Sequence, residues 1–480
     1  MMKQVFNPYL PLYEYIPDGE PHVFNGRIYV YGSHDQFGAF QFCHNDYVAW
    51  SAPVDDLSDW RYEGVILKKD EDPDNKNGKR DLFAPDVTCG PDGKYYIYYA
   101  YDFLGKIGVA KSDTPIGPFK FHGHVRYQDG IEIGTKKEDI FHFDPGVLTD
   151  EDGRVYLYSG FAPKRKFPQI RSGLKVSGCY CMELDKDMLS VIKGPVKVLS
   201  KVGETDKTFK GHEFFEASSI RKLNGIYYLV YSSIEGHELC YATSSSPFGP
   251  FKFGGVIVSN GDVGLNGRAK KDAIYPLGNN HGGIVKVGDY YYIFYHRHTN
   301  YTNTDRQGMA EKIRINSDGS INQVEITSCG LNDGPLKGEG EYPSTICCCL
   351  KPKEGNVFYP FFKTPLQKIT KTYITQAGKD SDTKETQYIS NVKNGCLIGY
   401  KYFDLSKTHE VIIRLSGKGD GKIGIRYVEN GDCESYQKVS LENKGIRDIA
   451  FNITRTGNKD ALYFYFEIKG KLNILSIILK

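Results

Sequence analysis

Tryptophan is nearly missing from this chain, with two residues among 480, beside 36 tyrosines and 27 phenylalanines. Long apolar runs are missing too: none approaches the ~20 residues a helix needs to cross a bilayer. The first residues, MMKQVFNPYLPLYEY, lack the charged segment followed by an apolar stretch that directs secretion. Neither sign of charge dominates, since 61 Lys+Arg face 59 Asp+Glu for a formal +2, and no block of like charge occurs. That argues against nucleic acid or an anionic membrane as partner and for a neutral ligand. The eleven cysteines are odd in number and scattered, include a Cys347-Cys348-Cys349 triplet, and form no pair of CxxC clusters. They read as reduced, mostly buried thiols with no zinc site. No GxxxxGK[ST] or strand–GxGxxG–helix unit exists, so no nucleotide or cofactor chemistry is expected. The resulting expectation is a cytoplasmic protein that meets no membrane.

What is present is a repeat. Five Tyr-rich apolar strands are introduced or interrupted by a turn glycine, at Gly26, Gly93, Gly153, Gly225 and Gly288. The copies read PDGEPHVFNGRIYVYGS, APDVTCGPDGKYYIYYA, FDPGVLTDEDGRVYLYS, FEASSIRKLNGIYYLVYS and NNHGGIVKVGDYYYIFYH. Intervals of 67, 60, 72 and 63 residues are too long for a solenoid turn and suit a four-stranded unit. Later parts of the units repeat as well: GVAKSDTPIGPFKF and CYATSSSPFGPFKF place Pro115 and Pro247 each 22 residues beyond their glycine. Short polar turns such as PDG, DEDG and NG suit tight hairpins, and capped helix-period segments are scarce. The fold expected is all-β: a five-bladed β-propeller over residues 1–335, followed by a second domain.

Near residue 340 the Gly/Pro-rich stretch GPLKGEGEYPS ends the repeat. Beyond it, EVIIRLSG, GKIGIRYVE, IRDIAFNI, ALYFYFEIKG and LNILSIIL read as short alternating strands, the pattern of a jelly-roll-like β-sandwich over 341–480. Through GYKYFDL and ALYFYFEIKGKLNILSIIL this part resembles carbohydrate-binding module family 6. A purely structural sandwich is the equal alternative, since no pair of exposed aromatics for gripping a sugar is evident.

Radial repetition brings the starts of the innermost strands together around one channel. The residues just ahead of them, Asp18, Asp86, Asp144, Glu216 and His281, should therefore converge. Glycoside hydrolysis needs one carboxylic acid to protonate the leaving oxygen and one carboxylate to activate water or attack the sugar. Asp18, Asp144 and Glu216, each from a different blade and each flanked by apolar or small residues, meet that need.

With PDG at Asp18, FDPG at Asp144 and FEAS at Glu216, residues 5 to 335 resemble glycoside hydrolase family 43. Further matching pieces are APDV at 84–87, NNHGG at 279–283 and DRQGMAEKIRI around Arg306. The resemblance implies an inverting enzyme releasing L-arabinose or D-xylose from oligosaccharides or polysaccharides, an α-L-arabinofuranosidase or β-xylosidase. Asp18 would be the general base, Glu216 the general acid and Asp144 the group that raises the pKa of Glu216. Inversion implies that base and acid stand about 6.5–9.5 Å apart. The resemblance also implies substrate contacts from Phe83, His281 and Arg306, and a structural calcium in the channel held by His281 directly or through water, with no cofactor required for bond cleavage. Two positions depart from common family forms: Phe83 stands where a tryptophan precedes APDV, and Ala217 where a glycine follows the acid. Alternatives are an endo-acting arabinanase, a retaining fructosidase, a mannoside phosphorylase and a non-catalytic sugar-binding propeller. The fructosidase lacks its NDPNG-like motif here and the phosphorylase its basic phosphate pocket.

Overall fold

A computed structural model describes residues 4–204, 206–361, 369–384, 386–442 and 445–480. Met1 to Lys3, the start of the stretch read for a leader, lie outside the described residues. Among the described residues, regular structure is β-strand, with a few single-turn 3-10 segments and no α-helix. The all-β expectation is therefore met.

Five sheets form the propeller, antiparallel except where Arg126–Tyr127 joins the outer strand of blade three in parallel as a fifth strand. Their innermost strands are Glu20–Phe24, Leu82–Cys89, Gly146–Thr149, Phe214–Leu223 and Ile284–Val287. The second strand in each sheet is the Tyr-rich one, as in Tyr95–Tyr101, every residue of which is buried. Apolar clusters lie between neighbouring blades: Tyr31 with Ile97, Val109 with Leu157, Tyr158 with Leu229, Tyr228 with Ile293, and Val30 with Phe294. The last of these joins blade five to blade one, and a parallel bridge between Gly19 and Gly282 joins them again at the axis. The ring is closed.

Tyrosine suits these inter-blade seams because it buries a ring while its hydroxyl still needs one partner. Tyr31 donates to the Pro115 carbonyl at 2.7 Å, and Tyr158 makes the equivalent bond to Pro247 at 2.6 Å. The two repeated turns are thus the acceptors of the preceding odd-numbered blades. Blade five departs from the four-stranded expectation, with three strands ending in Arg306–Ile313. Beside its outer strand lies the N-terminal segment: Asn7 Nδ2 donates to the Ala310 carbonyl at 2.9 Å, and Asn7 Oδ1 accepts from Ala310 N at 3.0 Å. One side-chain amide thus makes the two bonds that a strand residue would make.

The C-terminal sheet runs from Leu336–Lys337 to Asp460–Leu479. The sequence reads EVIIRLSG and GKIGIRYVE as two strands, but they form one, Glu410–Arg426; ALYFYFEIKG and LNILSIIL likewise form Asp460–Leu479. These two pair from Val411↔Leu479 to Arg426↔Tyr463. Each serves further partners along its length: Glu410–Arg426 pairs first with Arg447–Asn452 and then with Ser435–Leu441, and Asp460–Leu479 pairs with Leu397–Asp404, Gln387–Val392 and Gly340–Pro343. Glycine bends rather than ends them. The apolar core of this unit is continuous with the seam between blades four and five, through Ile274, Ile346 and Cys347. All eleven cysteines are unpaired and eight are buried.

Candidate active site

Two of the three acids occupy left-handed backbone, Asp18 at φ 57° and Asp144 at φ 44°. Aspartate tolerates that region better than most residues. Each sits in the turn leading to an innermost strand. Glu216 lies inside Phe214–Leu223, where the pairing register shifts on both sides of it, and the next residue, Ala217, has φ 69°. That bulge aims the Ala217 N–H at Asp144 Oδ2, 3.1 Å away. The alanine that stands in place of glycine therefore adopts the glycine-like conformation, and its N–H ties blade four to the acid of blade three.

Phe143 and Phe215 immediately precede Asp144 and Glu216, and their rings join a continuous aromatic wall. Centroids lie 5.4 Å apart for Phe83 and Phe143, 5.5 Å for Phe143 and Phe161, and 5.3 Å for Phe161 and Phe215. Phe83 therefore packs on the residue that precedes Asp144. A buried carboxyl is harder to ionise than one in water. Burial pushes Asp144 up to about 7, partly opposed by His281 and reinforced by Asp18. Glu216 is half-buried, yet burial of its carboxyl and then the charge of Asp144 raise it well above the carboxylate range.

Asp18 sits in a different environment. Arg306 Nη1 reaches Oδ1 at 3.0 Å and Oδ2 at 3.2 Å, while its Nε and Nη2 bind Asp35 at 2.8 and 2.9 Å. Arg306 is thus a clamp between two carboxylates. Its guanidinium also stacks over Phe42, 4.9 Å from the ring centre. His296 completes the arrangement: its Nε2 donates to the Asn279 carbonyl at 2.8 Å, leaving Nδ1 to accept from the Asp18 backbone N–H at 3.3 Å. Burial, then the neighbouring Arg306 and His281, keep the His296 ring neutral.

His281 is 4% exposed and stands between carboxylates, Nδ1 3.8 Å from Asp144 Oδ2 and Nε2 3.6 Å from Glu20 Oε1. Burial alone would lower its pKa, but Glu20, Asp144 and Asp18 outweigh it and raise it to about 9. A charged imidazolium between two acids follows. The donors do not make a calcium site. His281 Nε2 and Glu20 Oε1 are buried without partners, but calcium takes six to eight oxygens. Glu20 Oε2 is already bound by Arg221 Nη2 at 2.7 Å and by Ser219 Oγ at 2.9 Å. Asp86, expected among the converging residues, lies in this same part of the channel, 2.6 Å from His22 Nε2, rather than with the three acids.

Asp35, His296, Glu20 and Arg221 are missed by the sequence reading. Asp35 stands in a loop with no repeat counterpart, and His296 lies two residues from His298 with no motif to mark it. Glu20 and Arg221 have a usable signal, since each lies within an innermost strand of a recognised repeat.

A model for glycosyl hydrolases family 43 matches residues 18–321. A xylosidase/arabinosidase of Thermoclostridium stercorarium is 47% identical over 482 aligned positions, covering 100% of this chain and 99% of that protein. Xylosidase/arabinosidase 43A of Humicola insolens is 34% identical over 277 positions, covering 51% of this chain and 80% of that one. A crystal structure of a family 43 arabinoxylan arabinofuranohydrolase from Bacillus subtilis, with cellotetraose, aligns over 99% of this chain and 97% of its own at TM-score 0.51 and 20% identity, which bears on the fold alone. The closed five-bladed ring, three acids from three blades at its axis, and a family match that spans them lead to one placement: this chain belongs to glycosyl hydrolases family 43.

Proposed function

We propose that this chain hydrolyses the glycosidic bonds of pentose-containing oligosaccharides, releasing L-arabinose or D-xylose with inversion at the anomeric carbon. The observation carrying this is the division of environments among three acids that share one axis. Glu216, raised by burial and by Asp144, is the carboxyl kept protonated near neutral pH, as a general acid must be. Asp18, fixed by Arg306 and by the backbone bond to His296, is the carboxylate positioned as base.

In the reaction, Glu216 gives its proton to the glycosidic oxygen as the C1–O bond breaks. Asp18 takes a proton from water as that oxygen attacks C1 from the opposite face. The products are the free sugar and the shortened alcohol, with the proton of Glu216 restored by solvent exchange. Asp144 acts through Glu216. Arg306 holds Asp18 and, with Phe42 and Phe83, borders the space where the sugar would sit. The reaction draws on side chains and water alone. The sandwich is assigned a structural role: a hollow on its surface, lined by Lys418, Asp420, Glu442, Lys469 and Lys471, offers charge rather than the aromatic planes on which sugars stack.

The test is proton magnetic resonance of the sugar first released from aryl and oligomeric arabinosides and xylosides. Inverted configuration is expected. Retained configuration, or a glycosyl-azide adduct in Glu216→Gln, would replace the water mechanism by a covalent one.

A further inference from the structure

The channel below the acids holds a buried charge cluster that the reaction does not use. Glu20 and His22 come from blade one and Asp86 from blade two, with Glu20 and Asp86 side chains 1% and 0% exposed. One ligand atom from each lies within 4.8 Å of the others, a spacing suited to a single ion. A side chain already stands there. Arg221 projects from the innermost strand of blade four, 11% exposed. Its Nη2 is 2.7 Å from Glu20 Oε2, 3.2 Å from the Pro21 carbonyl and 3.1 Å from His22 Nε2. Its Nη1 is 3.7 Å from Asp86 Oδ2 and donates to the Ile220 carbonyl at 2.7 Å.

We propose that the Arg221 guanidinium is the resident cation of the central channel, filling the place of a divalent metal and joining blades one, two and four without one. Arg221 and a metal ion cannot share these ligands. A calcium ion binds oxygen at about 2.3–2.6 Å, so an ion on Glu20 Oε2 and His22 would overlap an Nη2 that stands 2.7 and 3.1 Å from those atoms. The planar guanidinium also reaches acceptors on separate strands at once, which the compact ammonium of lysine does not. Two buried carboxylates need compensating charge, and Arg221 supplies it to both. The arrangement departs from the metal expected of the family, and it concerns the axis of the fold rather than the bond-breaking step.

The mutual exclusion gives the test. Intact wild-type protein and Arg221→Met are treated with chelator, dialysed, and unfolded thermally with and without millimolar calcium; calcium binding is followed by calorimetry. The wild type is expected to unfold at one temperature whether chelated or calcium-loaded, with no stoichiometric binding. Arg221→Met should unfold about 5–10 °C lower and recover much of that loss in calcium, as the vacated carboxylates take the ion. A wild-type midpoint lowered by chelation, stoichiometric calcium binding to the wild type, or a folded Arg221→Met indifferent to calcium would each overturn the proposal. If Arg221→Met does not accumulate as folded protein, Arg221→Lys decides: calcium-indifferent folding supports the proposal and calcium-dependent folding overturns it. These readouts do not use turnover, so a failed hydrolase assignment and a failed cation assignment remain distinguishable.

Discussion

The backbone is bent in two different ways in the two halves of this molecule. At the channel, left-handed conformations fall on Asp18, Asp144 and Ala217, residues with a Cβ that pay a steric cost of about 1–2 kcal/mol each. In the two long strands of the sandwich the bends fall on Gly417, Gly421 and Gly470, with φ of 113°, 148° and 102°. Glycine meets no such cost. Where the bend only has to turn a strand, glycine makes it. Where it must also present a carboxylate, or an N–H toward one, the chain accepts a costlier residue because glycine carries no side chain. The difference separates positions shaped by chemistry from positions shaped by architecture.

If that division is right, substitutions at the three acids should change rates more than stability, and those at the sandwich bends the reverse. Asp18→Asn should have the largest effect, lowering kcat about a thousandfold or more on every pentoside, because no leaving group compensates for unactivated water. Kinetics across aryl and alkyl pentosides check this, and a loss confined to poor leaving groups would move the base elsewhere.

Glu216→Gln should cost about a hundredfold or more with an alkyl leaving group and under about tenfold with an acidic phenol. It should also stabilise the fold. The folded-state pKa of Glu216 is raised, so wild-type stability declines as pH rises from the unfolded carboxylate value near ~4.3 through the folded one. The variant should therefore be more stable at pH 8, by on the order of 1 kcal/mol, with the difference gone near pH 4 in calorimetric scans.

Gly470→Ala is the counterpart in the sandwich. An added Cβ would lie 2.4 Å from the Lys418 carbonyl oxygen, and the variant should lose about 1–3 kcal/mol in urea titration while kcat is unchanged. A changed kcat with unchanged stability would erase the distinction. Asp144→Asn sharpens it from the other side. The amide still accepts from Ala217 N–H but removes a negative charge from beside Glu216, so the alkaline limb of the pH–rate profile should move about one unit lower. An unmoved limb would mean that burial alone sets Glu216.

The halves are not independent. Asp380 of the sandwich accepts from Phe37 N at 2.7 Å and from Asn45 Nδ2 at 3.3 Å. Those residues belong to the loop that also carries Asp35 and Cys43, the partners of Arg306. Tyr15, in the chain leading to Asp18, donates to Gln376 Oε1 at 2.7 Å. The sandwich thus braces the arm that carries Asp18, a role that its strand pattern does not convey.

The blade count and the three acids were legible because both rest on local signals. Alternation, turn glycines and a carboxylate ahead of an innermost strand survive in one dimension, and radial repetition converts position in the repeat into position at the axis. The apolar neighbours Phe143 and Phe215 are local as well, but only the structure joins their rings into a wall. The long sandwich strands were misread because a glycine marks both an ended strand and a bent one, and only the pairing partner tells which.

Sequence by itself determined the ring, its closure into one all-β body, the acids presented to the channel and the family to which the chain belongs. Tertiary structure alone decided what those acids face. Arg306 and Asp18 lie 288 positions apart, and Arg221 and Glu20 201 apart. Charge pairing depends on distance through space, burial and the partners already taken. A pattern along the chain encodes none of these, so the clamp on the base and the cation of the channel appear only when the five blades close.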